Sequence, residues 1–392
     1  MNEEKIMILQ MLQDGKISPE EAIKLMEALD EPDFEIPEDE PKHKVLTNKT
    51  LDEIGSDIGN AFGNLFTSLK GIGSSLAINN LTEILEDHFE LDTEDLTNPV
   101  LDFKSVNGYI NLRKHSLDKI EINVYCKYRE GLLTGKENPY KFYVEDNKIA
   151  FHPLYNNDIS INLDIKVPIK LYSQISLQTS NDHIIINDLD VNSLYCETKN
   201  SSIKLSKIKS TDIKLSTQNG RIEGKDLEAN DLEAITTNSG ILLEDIISEK
   251  LNAHTANSKI ILKSIQSKSI IAKTSNSTID TDNLSSRKID LRTSNAKIIY
   301  DFFDMDKTKE IILHTSNSSI ISNLSGRDKN IFFDLETSMG NINLEYANLI
   351  YKTNKQANFG LKKLIAHSEN YDVSEDYIKF SAYTSNGSIK IS

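Results

Sequence analysis

The sequence predicts a mainly β protein: a β-solenoid, or β-helix, with 19-residue coils, preceded by a small α-helical N-terminal region. Two observations predict this fold, a fixed repeat and a strand-like alternation inside each repeat. Seven threonines lie 19 residues apart, and each is followed five residues later by an isoleucine. Such a period is typical of solenoids, in which each repeat buries its apolar face against its neighbours. The threonines are Thr179, Thr198, Thr217, Thr236, Thr255, Thr274 and Thr293.

Apolar and polar residues alternate within a repeat. Ile213 and Leu215, for example, flank the polar Lys214. This period of two predicts strands, and we expect two short strands per coil, with coils about 4.8 Å apart. Stacked coils align further apolar columns. They are Leu189, Ile208, Leu227, Ile246, Ile265 and Leu284; Leu194, Ile213, Leu232, Leu251, Ile270 and Ile289; and Cys196, Leu215, Ala234, Ala253, Ala272 and Leu291.

An asparagine follows each threonine by two residues, and this column has two interpretations. Asparagine tolerates the left-handed backbone of a sharp corner, and a glycine follows at Gly220 and Gly387. Stacked amides can also bond one coil to the next as a ladder. Alternatively, the row could bind a sugar or a repetitive surface. We favour the structural role for the asparagines and the threonines, because corners alone explain asparagine. The asparagines are Asn181, Asn200, Asn219, Asn238, Asn257, Asn276 and Asn295.

The acidity of the chain is confined to its first quarter. The net charge of −16 belongs to residues 1–100, which hold 23 acidic and 7 basic residues, whereas the remainder holds 37 of each. The chain has no basic stripe for phosphates, which argues against nucleic acid as a partner. The acidic part is expected to be a solvated segment, with attraction of cationic partners as the alternative.

Three segments are expected before the solenoid. Residues 1–30 predict a helical hairpin, in which Ser18 caps the second helix and Glu21 completes the capping box. Residues 31–50 predict an acidic, proline-containing linker. Residues 51–90 predict an amphipathic helical segment with glycines at intervals of four. That segment could cover the open end of the solenoid, self-associate or lie on a membrane surface.

Residues 100–392 are expected to form the solenoid. We predict an irregular opening over 100–176, regular coils over 177–300, and wider coils with a C-terminal cap over 301–392. Residues 103–112 resemble the repeat phrase, and strands are predicted over 119–129, 140–151 and 159–167. Residues 348–379 interrupt the repeats before a last strand and are expected to form the cap.

The N-terminus and the cysteines predict a cytoplasmic location. Residues 1–5 are wrongly charged for a secretion signal, no apolar region follows, and no run is long enough to span a membrane. Cys126 and Cys196 lie in strand-like segments and are expected to be buried thiols rather than a disulfide.

A search for an enzyme site yields isolated acidic pairs only. Asp226 and Asp245 stack one period apart, and Asp280 shares an outward strand face with Asp282, but no run of aromatic residues or arginines joins them to hold a sugar. His254 and His314 precede equivalent threonines and are expected to be separated by a coil, without metal-ligand spacing. We therefore predict no enzyme, no catalytic residue, no metal site and no cofactor.

Two stretches resemble a known bacterial family. Residues 163–171 (LDIKVPIKL), the strand 175–181 and the tandem Thr-Ser-Asn phrases resemble the "putative adhesin" β-helix family of unknown function. Residues 12–29 resemble the short helical, SHOCT-like module of the LiaX/YvlB group in that family. The resemblance implies a role in the Gram-positive (Firmicutes) envelope-stress response, at the cell surface, in sensing cationic antimicrobial peptides and antibiotics.

Two functions follow as hypotheses. The first is a non-enzymatic, adhesin-like scaffold of the envelope-stress response that binds cationic peptides. In this hypothesis the N-terminal helices mediate self-association or bind a protein partner, any membrane contact is peripheral, and the cell surface is reached by a non-standard route. The second is a carbohydrate-binding or carbohydrate-acting β-helix that uses Asp226 and Asp245.

Overall fold

The computed structural model describes residues 81–133, 135, 138–302, 307–324, 329–355, 360–369, 371–372 and 376–392. Their regular secondary structure is all β, and the strands form one continuous hydrogen-bonded sheet. Residues 1–80, where the hairpin, the linker and most of the amphipathic helical segment are predicted, lie outside the described residues.

The strands fall into an opening, a regular part and an end. The opening contains β1 (Leu81–Asp92), β2 (Val100–Lys104), β3 (Ile110–His115), β4 (Lys119–Arg129), β5 (Tyr140–Glu145), β6 (Lys148–Pro153), β7 (Ile159–Pro168) and β8 (Tyr172–Gln178). The regular part contains β9 (Ile184–Thr198), β10 (Ile203–Thr217), β11 (Ile222–Thr236), β12 (Ile241–Thr255), β13 (Ile260–Lys273) and β14 (Ile279–Arg292). The end contains β15 (Ile298–Phe302), β16 (Glu310–His314), β17 (Ile320–Asn323), β18 (Ile331–Thr337), β19 (Ile342–Leu344), β20 (Leu349–Lys355), β21 (Lys362–Ser368), β22 (Ile378–Thr384) and β23 (Ile389–Ile391).

The regular coils stack in parallel with the predicted 19-residue register. Ile203 lies opposite Ile222, and Ile222 lies opposite Ile241. All three side chains are 0–1% exposed, and the three apolar columns predicted from the sequence are also buried. The fold class is therefore confirmed: successive coils share one dry interior.

Each regular coil contains one long strand with a bend, rather than two separate short strands. The bend residues have φ between 52° and 61° and recur every 19 residues. We call the part before the bend the first arm and the part after it the second arm. The left-handed corner therefore lies at the bend and not at the asparagine column. Asn107 is the exception, because it belongs to the described asparagine column and has positive φ. The bend residues are Asp188, Lys207, Asp226, Asp245, Ser264 and Asn283.

The asparagine column forms the predicted ladder of side-chain amides. Asn219 Nδ2 donates to Asn200 Oδ1 over 2.7 Å, and Asn238 Nδ2 donates to Asn219 Oδ1 over 2.6 Å. The ladder includes Asn107, Asn181, Asn200, Asn219, Asn238, Asn257, Asn276, Asn295, Asn317 and Asn386. Its role is thus structural, because each of these amides is already engaged by its neighbours.

The threonine column bonds each coil to the preceding one. Thr236 Oγ1 donates to the Gly220 carbonyl over 3.0 Å, and Thr255 Oγ1 donates to the Ser239 carbonyl over 2.9 Å. Both threonines are fully buried. These bonds satisfy hydroxyl groups that would otherwise be buried without a partner.

Gly220 is required by close packing between coils. A Cβ at this position would lie 1.5 Å from the Ser201 carbonyl oxygen of the preceding coil. Gly387 is similar, because a Cβ there would lie 1.8 Å from the Ser318 carbonyl oxygen. The two glycines thus follow asparagine for steric reasons, and not because of a left-handed backbone.

The opening extends each arm of the first regular coil. On the first-arm side the strand order is β9–β3–β7–β4–β1, and on the second-arm side it is β9–β8–β2–β6–β5. Residues 103–112 join the repeats as expected, because Ile110 lies opposite Ile184. Residues 140–151 belong to a hairpin of β5 and β6 rather than one strand.

The prediction of helix through residue 90 is wrong for residues 81–90. They form most of β1, which runs antiparallel to β4. Leu81, Leu85 and Phe89 are four residues apart, a spacing that places them on one face of either a helix or a strand. Leu85, Phe89 and Leu91 pack against the core. The side chains of this segment therefore alternate between inward and outward, as in a strand.

The last repeat in the sequence is not the last in space. β22 lies between β16 and β18, and β23 lies between β17 and β19. β21 then covers the other edge of β18 in antiparallel orientation, and β20 pairs with β21. β20 and β21 therefore lie at this end of the described sheet, and the later strands β22 and β23 are inserted between earlier ones.

Replacing Gly220 by alanine should destabilise the solenoid. The added Cβ forces backbone to shift, which typically costs about 1–3 kcal/mol. We expect a lower midpoint of guanidinium unfolding than for Ser239→Ala, the matched control at the equivalent position of the next coil, where a Cβ is already present. Equal midpoints for the two variants would contradict the steric explanation.

Candidate interaction surfaces

The flank of the regular coils is neutralised by ion pairs between coils. Lysines of β10 face glutamates of β11 in register, so that the outward columns carry both signs of charge. The three pairs are Lys204–Glu223 at 3.2 Å, Lys209–Glu228 at 3.2 Å and Lys214–Glu233 at 3.1 Å. Exposed pairs of this kind contribute at most about 1 kcal/mol each. Their main effect is a flank without a strong field of one sign.

The acidic pairs considered as enzyme candidates do not form an enclosed site. Asp226 and Asp245 lie on adjacent coils at the exposed bend, beside a depression of about 610 Å³. Lys225 lies 3.8 Å from Asp245. Asp280 forms an ion pair with Lys259 at 2.6 Å, and Asp282 is exposed on the same strand. The structure thus places each pair on an open surface.

The two candidate histidines are farther apart than predicted. Lys273 and Arg292 occupy the same column between His254 and His314, so that two coils separate the histidines instead of one. Burial, followed by the nearby Arg292, lowers the pKa of His314. Within the described ranges, no group of three or more histidine, cysteine, aspartate and glutamate side chains could hold a metal ion.

Both cysteines are buried free thiols, as predicted. Burial raises the pKa of Cys126 to about 12, with a further contribution from Asp87. Burial also raises the pKa of Cys196. Neither thiol therefore has the depressed pKa of a reactive cysteine.

A polar groove of about 550 Å³ lies on the outward face where β3, β7 and β9 meet. Tyr109 Oη donates to Asp164 Oδ2 over 2.9 Å, and Asn111 Nδ2 donates to Asp164 Oδ1 over 3.1 Å. Burial and then the bond to Asp164 raise the pKa of Tyr109 to about 12. Asn111 Oδ1 is buried without a hydrogen-bond partner. The groove is lined by Asn111, Leu112, Arg113, Asn123, Asp164, Ile165, Lys166, Ile185 and Asn187.

An aromatic pair lies next to this groove. The Tyr109 and His183 rings are stacked with their centroids 5.3 Å apart. His183 Nδ1 is 2.6 Å from Asp182 Oδ1. No local sequence pattern marks this groove, because Asn111 and Asp164 are 53 residues apart in the chain.

The N-terminal end of the described fold carries a second surface, the acidic edge strand β1. Residues 81–100 contain seven acidic residues and no lysine or arginine. Among the described strands, β1 pairs with β4 alone, so that its other edge has no strand partner there. Glu90 is engaged by Lys119 at 2.6 Å. The exposed acidic residues are Glu83, Glu86, Glu90, Asp92, Glu94 and Asp95.

The described residues define an open β-solenoid whose regular parallel coils continue into antiparallel strands at both ends. Residues 100–258, which contain β2 to β12, match the Toastrack DUF4097 family. Residues 3–33 match a SHOCT-like domain, at the place where the helical module is predicted.

Two solved structures are similar to 79% of this chain. One is described as a putative cell adhesion protein from Clostridium sporogenes; it is 10% identical, 99% of its chain is covered, and the TM-score is 0.24. The other is described as a putative adhesin from Bacteroides fragilis, with 12% identity, 98% coverage and a TM-score of 0.29. These TM-scores are too low for the two structures to support a conclusion about the fold or function of this chain. None of the curated proteins matches the chain.

Among the described residues there is no helix of the length and apolar character needed to cross a membrane.

Proposed function

We propose that the protein is a non-enzymatic, adhesin-like scaffold of the Gram-positive envelope-stress response, which binds cationic peptides at the acidic edge strand β1. One observation carries the proposal: residues 81–100 combine seven acidic residues, no lysine or arginine, and a strand edge that no described strand pairs with. The ion-paired flank of the regular coils offers no comparable field of one sign.

The acidic edge strand suits an extended cationic chain for two reasons. An edge strand presents unpaired N–H and C=O groups, to which a peptide can add as a further strand. Exposed carboxylates beside that edge attract lysine and arginine side chains and speed the encounter. The match of residues 100–258 to the Toastrack family supports a solenoid scaffold in this role.

The stress-response role and the location rest on the resemblance of residues 12–29 to the short helical module of the LiaX/YvlB group, within the adhesin family that residues 163–171 and 175–181 resemble. Binding of external peptides requires the protein at the cell surface, and the alternative location is the cytoplasm. Fractionation of cells into cytoplasm, membrane and surface discriminates between these locations. We propose that the predicted N-terminal helices bind either a second copy of the chain or another protein.

Titration of the full chain with a short lysine-rich amphipathic peptide tests the proposed site. The variant Glu83→Gln/Glu86→Gln/Asp92→Asn should bind about tenfold more weakly, because each exposed charge pair contributes up to about 1 kcal/mol. The affinity of the unaltered chain should also fall as salt rises, because exposed charges are screened. Calorimetry or fluorescence anisotropy measures both effects.

The matched control removes the same three charges from β11, as Glu228→Gln/Asp231→Asn/Glu233→Gln, and should bind almost normally. Equal weakening by both variants would show a general charge effect instead of a site at β1. A chain beginning at residue 81 separates the contribution of residues 1–80. Absence of binding to the full chain and to this shorter form would remove peptide sensing from the proposal.

Carbohydrate binding is a second candidate function, favoured by the polar groove beside Tyr109 and His183. Sites for small polar ligands combine a few placed hydrogen-bonding groups with apolar or aromatic surface. Asp164 and Asn111 supply such groups, and the stacked Tyr109–His183 pair supplies the ring surface. The depression beside Asp226 and Asp245 has apolar side chains but no aromatic ring in its lining.

A glycan array tests the second candidate. If the groove binds sugars, Asp164→Asn should lose the signal, because the carboxylate that positions Tyr109 and Asn111 is gone, whereas Asp226→Asn and Asp245→Asn should retain it. A signal lost in the two bend variants but retained in Asp164→Asn would place the site at the bend. No signal for the unaltered chain would eliminate carbohydrate binding.

A further inference from the structure

The two ends of the described fold both present a strand edge without a described partner. At the N-terminal end this is the acidic edge strand β1, which pairs with β4 alone among the described strands. At the C-terminal end it is β20 (Leu349–Lys355), which pairs with β21 alone among them. Such edges are templates for pairing with a further chain.

The two edges carry opposite charge. β1 contains five acidic residues and no lysine or arginine, whereas β20 contains Lys352 and Lys355 and no acidic residue. Both lysines are exposed. Lys352 Nζ also lies 5.8 Å from the centre of the Phe332 ring and 5.5 Å from that of the Tyr371 ring.

Both edges also expose apolar side chains. Ile84 on β1 is 56% exposed, and on β20 Ile350 is 47% and Tyr351 is 48% exposed. Apolar side chains beside an unpaired edge make that edge prone to associate. The charges on each strand oppose pairing with an identical copy of itself, because like charges directly opposite are destabilising.

We propose that β20 of one molecule adds to β1 of a second molecule, so that the protein associates head to tail. This contact joins two different surfaces, and repetition of it gives an open linear chain of molecules. With seven residues in β20 and twelve in β1, the shorter strand sets the length of the contact. The inference concerns a second copy of the chain and does not depend on peptide binding.

Charge reversal at each end, followed by mixing, tests the proposal on the full-length protein. The first variant is Glu83→Lys/Glu86→Lys/Asp92→Lys, which changes the net charge of β1 from −5 to +1, so that both ends are basic. The second is Lys352→Glu/Lys355→Glu, which makes both ends acidic. Sedimentation velocity at low salt should show concentration-dependent association of the unaltered protein. Each variant alone should associate at least about tenfold more weakly, because like charges then face each other.

An equimolar mixture of the two variants should restore association, because every contact then joins a basic strand to an acidic one. The control Lys263→Glu/Lys297→Glu makes the same charge change as the second variant, but on exposed residues of the solenoid flank. It should associate normally. Circular dichroism checks that each variant is folded.

The proposal is overturned if the unaltered protein stays monomeric at every concentration. It is overturned equally if both variants associate like the unaltered protein, or if the mixture stays as weak as its components. Peptide binding is measured separately, on dilute protein, so that failure of one proposal leaves the other to be judged on its own result.

Discussion

Hydrogen bonding between coils of equal length is the constraint on which the rest of the structure depends. Because every regular coil contains 19 residues, Ile203, Ile222 and Ile241 fall into one column and are buried together. The same register brings the asparagine amides and the threonine hydroxyls into bonding distance of the preceding coil. A slip of one residue within a strand would turn each inward side chain outward. The longer coil between Asn295 and Asn317 keeps the register, because their amides still form a hydrogen bond.

This regularity makes the flank and the ends of the solenoid chemically different. On the flank, in-register lysines and glutamates offset one another, as in the Lys209–Glu228 pair. At the ends of the described fold, β1 and β20 each pair with one described strand, and charge accumulates on both of them. Repeat proteins generally need terminal units that differ from the rest. Here the terminal strands β1 and β20 each present an edge without a described partner.

The sequence predicted the periodic part of the fold and little of the surfaces. The buried columns and the amide ladder follow from residues that recur every 19 positions. The left-handed bend was missed because its column holds aspartate, lysine, serine and asparagine, a mixture with no single signature. The polar groove and the inserted last coil depend on pairing between distant segments, as between Asn111 and Asp164. β1 was mistaken for helix because Leu81, Leu85 and Phe89 fit both periods.

The most direct test of this account measures the rise per coil in solution. Nitroxide labels at Asn192, Thr211 and Arg287 occupy equivalent, exposed positions of different coils. With coils about 4.8 Å apart, the Thr211–Arg287 pair spans four coils, or about 19 Å, and the Asn192–Arg287 pair spans five, or about 24 Å. Pulsed electron paramagnetic resonance should therefore give two narrow distributions about 5 Å apart. Broad distributions, or two distances that do not differ by one coil spacing, would contradict the parallel register of the solenoid.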